Sequence, residues 1–135
     1  MFRVTKEIEF CYGHRLLNYD GKCRHLHGHN GTAVIVLEAT RLDPLGMVVD
    51  FSQIKKVLGS WIDNTLDHKM LLHKDDPILP ELRRQGEPFI TLDENPTAEN
   101  IAKMIFDQAR QAGFPVIEVT LWETGNSYAT YTGEQ

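Results

Sequence analysis

A chain of 135 residues with 41% hydrophobic and 24% charged residues has the make-up of one soluble globular domain, and residues 1–135 are read as a single unit. The formal net charge of −5 argues against bulk binding to nucleic acid or to an anionic membrane surface. No apolar run reaches the length of about eighteen residues needed to span a membrane. The opening Met1-Phe2-Arg3-Val4-Thr5 lacks an apolar signal core, so a cytoplasmic protein is expected. Two cysteines, Cys11 and Cys23, fit a reducing compartment better than a disulfide scaffold.

Phe2, Val4, Ile8 and Phe10 share one parity, with Lys6 as the exception, and predict a first strand that runs toward His14. The loop that follows, Leu16 to Lys22, has Asn18, Asp20 and Gly21 where a turn needs them. It leads into Cys23-Arg24-His25-Leu26-His27-Gly28-His29, where three of the six histidines stand within five residues. Extended backbone sends His27 and His29 to one face, which is half a zinc site, and Gly28 between them leaves room for a close neighbour. Alone, the pair reads more readily as two surface histidines, so a third ligand must come from elsewhere. Arg15, Lys22 and Arg24 outnumber Asp20 in this stretch, a basic patch on an acidic protein that suits a small anionic substrate or simply a solvated loop.

From His27 a second strand is expected. His29, Gly31, Ala33, Ile35, Leu37 and Ala39 lie on one face and Val34, Val36, Glu38 and Thr40 on the other, with apolar residues on both, as if the strand were covered on two sides. Asp43-Pro44 and Gly46 make a turn, and Met47-Val48-Val49 predicts a short third strand. Asp50, three residues before Gln53, reads as a helix N-cap, and Ile54, Val57, Leu58, Trp61, Ile62 and Leu66 recur at helical spacing. Asp67-His68 closes that helix.

Prolines at 77, 80, 88 and 96 and Gly86 make residues 73–96 the least regular part, with Phe89–Leu92 as a short extended piece inside it. Asn95-Pro96 predicts N-cap and first position of a second helix, whose buried stripe is Ile101, Ala102, Met104, Ile105, Ala109 and Ala112, ended by Gly113 and Pro115. The remainder is a hairpin: Ile117, Val119 and Leu121 alternate inward, Gly125-Asn126 turns, and Tyr128 to Thr132 returns. Glu123 continues the inward parity. A buried carboxylate is costly without a partner, so it reads as a ligand anchor more readily than as a structural acid. The element order gives a small α+β domain with an antiparallel sheet and two helices packed on one face.

In series these motifs resemble one family. They are Phe10-Cys11-Tyr12-Gly13-His14, Lys22-Cys23, Cys-x-x-x-His-Gly-His, Gly46 to Phe51 opening a helix, Leu66-Asp67-His68 closing it, Asn95 to Asn100, and Trp122-Glu123-Thr124. The chain resembles, over nearly its whole length, the 6-pyruvoyltetrahydropterin synthase superfamily of tunnelling folds. The three-residue spacer between Cys23 and His27 is similar to that of the 6-carboxytetrahydropterin synthase branch. The chain departs from the family pattern at Tyr12-Gly13, where small residues are usual, at Gly31, where an aromatic is usual, and in a longer segment from His73 to Asp93.

The resemblance implies a tunnelling fold that oligomerises into a barrel, most simply a homohexamer of two stacked trimers with sites shared between chains. It implies zinc on His14, His27 and His29, with the fourth tetrahedral position open to substrate. Cys23 would act as the base, Asp67 and His68 as its proton relay, and Glu123 as the catalytic-site residue that anchors a pterin edge, with Thr97 a weaker candidate in the same pocket. The implied reaction converts 7,8-dihydroneopterin triphosphate to 6-carboxy-5,6,7,8-tetrahydropterin with loss of acetaldehyde and triphosphate, a step toward queuosine and other deazapurines. The alternatives are pyruvoyl synthase activity, or a related side-chain cleavage feeding folate, from the same residues, and a non-catalytic zinc-binding homo-oligomer.

Overall fold

The computed structural model describes residues 1–134. Its frame is a long antiparallel pair, β1 (Phe2–His14) and β2 (His27–Ala39), in register from Phe2 opposite Ala39 to His14 opposite His27. The connection folds a single 3-10 turn at Lys22–Arg24. After β2 come helix α1 (residues 51–65), strand β3 (Lys69–His73), helix α2 (Leu79–Gln85), strand β4 (Phe89–Leu92) and helix α3 (Ala98–Gln111), and the chain ends in the hairpin β5 (Val116–Thr124) and β6 (Ser127–Tyr131). The six strands stand in the order β4-β3-β1-β2-β5-β6.

The α+β class is as expected, and β1, β2, β5 and β6 are antiparallel. The sheet as a whole is mixed, because β3 joins β1 in parallel at Tyr12–His14 and β4 joins β3 in parallel. Both parallel strands come from the part of the chain with the weakest sequence signal. They are four to five residues long, too short for an alternating pattern to stand out. Residues 73–96 also hold α2, with Pro80 in its first turn and Gly86 at φ 72° closing it.

Met47-Val48-Val49 is not a strand. The Asp43 carboxylate accepts from the Leu45 and Met47 amides, and the Asp43 amide donates to the Met47 carbonyl, so this stretch closes on itself as a loop. Val48 and Val49 pack against the core from that loop instead. Asp50 does cap α1, through a bond from the Ser52 amide. The helix loosens into a π turn at Lys55–Gly59 before it resumes over Ser60–Thr65.

Both long helices lie on one face of the sheet. Ile54, Leu58, Ile62 and Leu66 of α1 and Ile101, Ile105 and Phe106 of α3 are almost fully buried against Ala33, Ile35, Leu37, Val119 and Leu121. The stripe of α3 runs through Phe106 and stops before Ala112, which is exposed at the C-cap. Its N-cap is Thr97, whose hydroxyl accepts from the Asn100 amide, two residues later than Asn95-Pro96 suggests. Asn95 serves elsewhere: its side-chain oxygen Oδ1 accepts from the Leu17 amide at 2.8 Å and its side-chain NH2 donates to the Leu17 carbonyl at 2.9 Å. This double bond of contacts fixes the start of α3 to the loop that leaves β1.

Candidate metal centre

Strand pairing, not sequence proximity, assembles the site. His14 lies directly opposite His27, and Tyr12 opposite His29, so the three imidazoles project from the helix-covered face at the end of the β1–β2 pair. Their ring centroids are 4.5 to 5.1 Å apart. Glu123 reaches the same place from β5. The hairpin pairing passes from Trp122–Tyr128 to Thr124–Ser127, which leaves Glu123 as the extra residue of a bulge. Its Oε1 lies 2.9 Å from His29 Nε2 and 3.2 Å from His14 Nε2. One atom from each of His14, His27, His29 and Glu123 falls within 4.8 Å of every other.

The protonation pattern is set from behind. His14, 2% exposed, donates from Nδ1 to the Pro96 carbonyl at 2.6 Å. His27 donates from Nδ1 to the His25 carbonyl at 2.7 Å. A carbonyl only accepts, so each neutral ring carries its proton on Nδ1 and turns a bare Nε2 lone pair inward. Among the described residues the Nε2 atoms of His14, His27 and His29 have no hydrogen-bond partner. Lone pairs converging on a carboxylate repel one another unless a cation lies between them, so the residues present fit a divalent metal ion. The same environment shifts the titrating groups. Burial holds the His29 imidazole below its usual range against the pull of Glu123.

Tyr12 completes the wall. It is 2% exposed, stacks on Phe10, and meets His14 edge-on at 5.2 Å and His29 at 5.7 Å. Gly31 makes its space, since a Cβ there would stand 2.9 Å from Tyr12 Cε1. The Tyr12 ring thus fills, from the neighbouring strand, the space that Gly31 leaves open. Burial first, and the Glu123 charge second, push the Tyr12 hydroxyl well above the usual phenol range.

Asp67 and His68 form a second group. His68 adopts left-handed backbone at φ 59°, a conformation that costs a non-glycine residue energy and recurs at functional sites. Its amide donates to the Cys11 carbonyl, while Asp67 accepts the Cys11 amide on Oδ1 at 2.8 Å and the His68 Nδ1 proton on Oδ2 at 2.8 Å. These bonds, the Cys11 amide first, lower the Asp67 pKa. The His68 ring remains 79% exposed. It shares with His27 a largely apolar hollow of about 470 Å³, floored by the cross-strand pair Gly13 and Gly28 and walled by Leu26 and Met70. A Cβ at Gly13 would come within 2.7 Å of the Met70 sulfur.

Of the residues expected from sequence, the chain thus brings together His14, His27, His29 and Glu123, and separately Asp67 with His68. Cys23 is half-buried in the 3-10 turn, where its carbonyl accepts from the Leu16 amide, and its thiol makes no hydrogen bond among the described residues. Thr97 is occupied as an N-cap. Sequence reading passed over Tyr12 as a functional residue, although its parity, two before His14 on the same strand face, places it there. It also passed over the Arg15–Asp76 pair, in which both guanidinium contacts, at 2.8 and 2.5 Å, reach a carboxylate with 0% side-chain exposure. Nothing in Asp75-Asp76-Pro77 marks it as buried.

Fold and site together define a small α+β protein with three histidines and a glutamate on its sheet that could hold a metal ion. The family model described as 6-pyruvoyl tetrahydropterin synthase matches residues 3–134. Proteins named 6-carboxy-5,6,7,8-tetrahydropterin synthase from Rickettsia felis and Aquifex aeolicus are 37% and 30% identical, covering 95% and 98% of this chain and 98% and 99% of theirs. Among solved structures, 6-pyruvoyl tetrahydropterin synthase of Caenorhabditis elegans superposes with a TM-score of 0.74 at 26% identity, over 98% of this chain and 96% of that one. The chain belongs to the 6-pyruvoyl tetrahydropterin synthase family and is an enzyme of that family.

Proposed function

We propose that the chain converts 7,8-dihydroneopterin triphosphate to 6-carboxy-5,6,7,8-tetrahydropterin, with loss of acetaldehyde and triphosphate, at a zinc ion held by His14, His27 and His29. The observation that carries the metal is the set of three unpartnered Nε2 atoms, two of them fixed by Nδ1 bonds to backbone carbonyls. Choice of the carboxy product rests on the relatives at 30–38% identity that bear that name, and on the three-residue spacer between Cys23 and His27. Zinc, when bound there, supplies Lewis acidity that lowers the pKa of substrate side-chain hydroxyls.

The chain's own groups do the rest. Cys23, as thiolate, takes the proton from carbon beside those hydroxyls. Asp67 holds the His68 ring by its Nδ1 proton, which leaves Nε2 to relay protons. Glu123 offers its carboxylate to the amino and ring N–H donors of the pterin. Thr97 is the weaker candidate for a contact in the same pocket, its hydroxyl proton being free to donate while its oxygen caps α3.

Residues 1–135 act as one domain, in the cytoplasm, within a homohexamer of two stacked trimers. Support for assembly comes from β1: β3 pairs with it only at Tyr12–His14, so the edge from Phe2 to Cys11 has no partner on that side among the described residues. Sites shared between chains account for Cys23 and the Asp67–His68 pair making no hydrogen bond to each other within one. The deciding experiment is incubation of zinc-loaded protein with dihydroneopterin triphosphate and mass analysis of the pterin. A pyruvoyl product would replace the carboxy assignment, and no turnover by intact, zinc-loaded protein would leave only a zinc-binding oligomer.

A further inference from the structure

Tyr12 carries a hydroxyl that the fold buries and leaves unpaired. The ring is 2% exposed and the oxygen has no hydrogen-bond partner among the described residues. Leaving a donor unmade in such a place is costly, and Phe at this position would fill the same space over Gly31 without that cost. The ring rests on the same two imidazoles, His14 and His29, whose Nε2 atoms lie against Glu123 Oε1. Into this cluster His14 and His27 turn Nε2 lone pairs and Glu123 a carboxylate, all of them acceptors. Tyr12, packed against His14 and His29, brings a hydroxyl donor beside them.

We propose that Tyr12 is a positioning residue for Glu123: its hydroxyl donates to the carboxylate once a metal ion and an oxygen ligand occupy the imidazole cluster, and so fixes that carboxylate toward the ligand. A ligand oxygen entering the cluster competes for the place that Glu123 Oε1 now fills beside His14 and His29. The carboxylate then moves, and Tyr12, against the same two imidazoles, is a buried donor without a partner among the described residues. The inference rests on the metal-site reading but not on the identity of the pterin substrate.

The test uses zinc-loaded protein with tyrosine labelled at Cζ, whose 13C shift reports hydrogen bonding of the phenol. There are four tyrosines, and Tyr12→Phe identifies the signal. The probe is acetohydroxamate, an oxygen donor to zinc that needs no pterin recognition. On its addition the Tyr12 signal should move in the wild-type protein and stay in place in Glu123→Met, which keeps side-chain length and removes the carboxylate. In Tyr12→Phe the probe should bind about tenfold more weakly, at the scale of one hydrogen bond to a charged group, with zinc content unchanged and thermal stability equal or raised. Unchanged probe affinity in Tyr12→Phe, or the same shift in Glu123→Met as in wild type, overturns the proposal. Failure of pterin turnover with both shifts as expected would instead count against the substrate assignment alone, and a protein that takes up no zinc overturns both.

Discussion

Asn95 ties the loop after β1 to the start of α3, beside the candidate metal centre, and Asn95→Asp isolates that link. The side chain makes two bonds to one residue, accepting from the Leu17 amide and donating to the Leu17 carbonyl. Aspartate keeps the first and turns the second into a carboxylate oxygen facing a carbonyl. Loss of one half-buried bond with an acceptor left opposed costs about 1–3 kcal/mol. The next residue, Pro96, supplies the carbonyl that holds the His14 Nδ1 proton. Loss of such an outer contact to a metal-binding histidine typically lowers affinity by about 10- to 100-fold. Denaturant unfolding of the metal-free protein should therefore show the first loss, and chelator competition should show the second on top of it. A variant that loses stability as stated yet binds zinc within about twofold of wild type would show that Pro96 keeps its place without Asn95, and the reasoning would be wrong.

Other expectations are direct. His27→Ala and His29→Ala should each lose zinc and activity together, by metal analysis of purified protein, and full retention in both would remove the three-histidine assignment. Cys23→Ala should keep zinc and fold while losing turnover; a variant that loses zinc would mean a mixed cysteine and histidine site instead. Mixed assemblies of Cys23→Ala with Glu123→Ala should recover part of the activity that each lacks, unless each site is complete within one chain. Asp76, whose pKa the Arg15 guanidinium lowers, contributes stability that is present above the unfolded carboxyl pKa of about 3.9 and is lost as pH falls through the lower folded value. Asp76→Asn should flatten that acid limb and lower stability at neutral pH by about 3–5 kcal/mol, because Arg15 loses the charge buried against it; an unchanged melting temperature at pH 7 would mean the pair is replaceable by solvent.

The features legible in the sequence were those governed by short-range geometry. His27 and His29 share a face because extended backbone alternates, Asp50 caps because its oxygen meets an amide two residues on, and the inward parity of Val119 and Leu121 points to Glu123. Met47-Val48-Val49 misled because an apolar run becomes a strand only when another backbone takes its hydrogen bonds, and Asp43 took them first. The parallel strands β3 and β4 were out of reach for the converse reason, their partners being set by topology far along the chain. Parity could offer His14 as a candidate, but only the register of β1 on β2 puts it opposite His27, and only the pairing of β5 on β2 brings Glu123 to both imidazoles. Residue types and their local phase belong to the sequence. Distances of a few ångströms between residues 14, 27, 29 and 123 belong to the sheet, because a single-residue slip in either pairing would send the side chains to opposite faces.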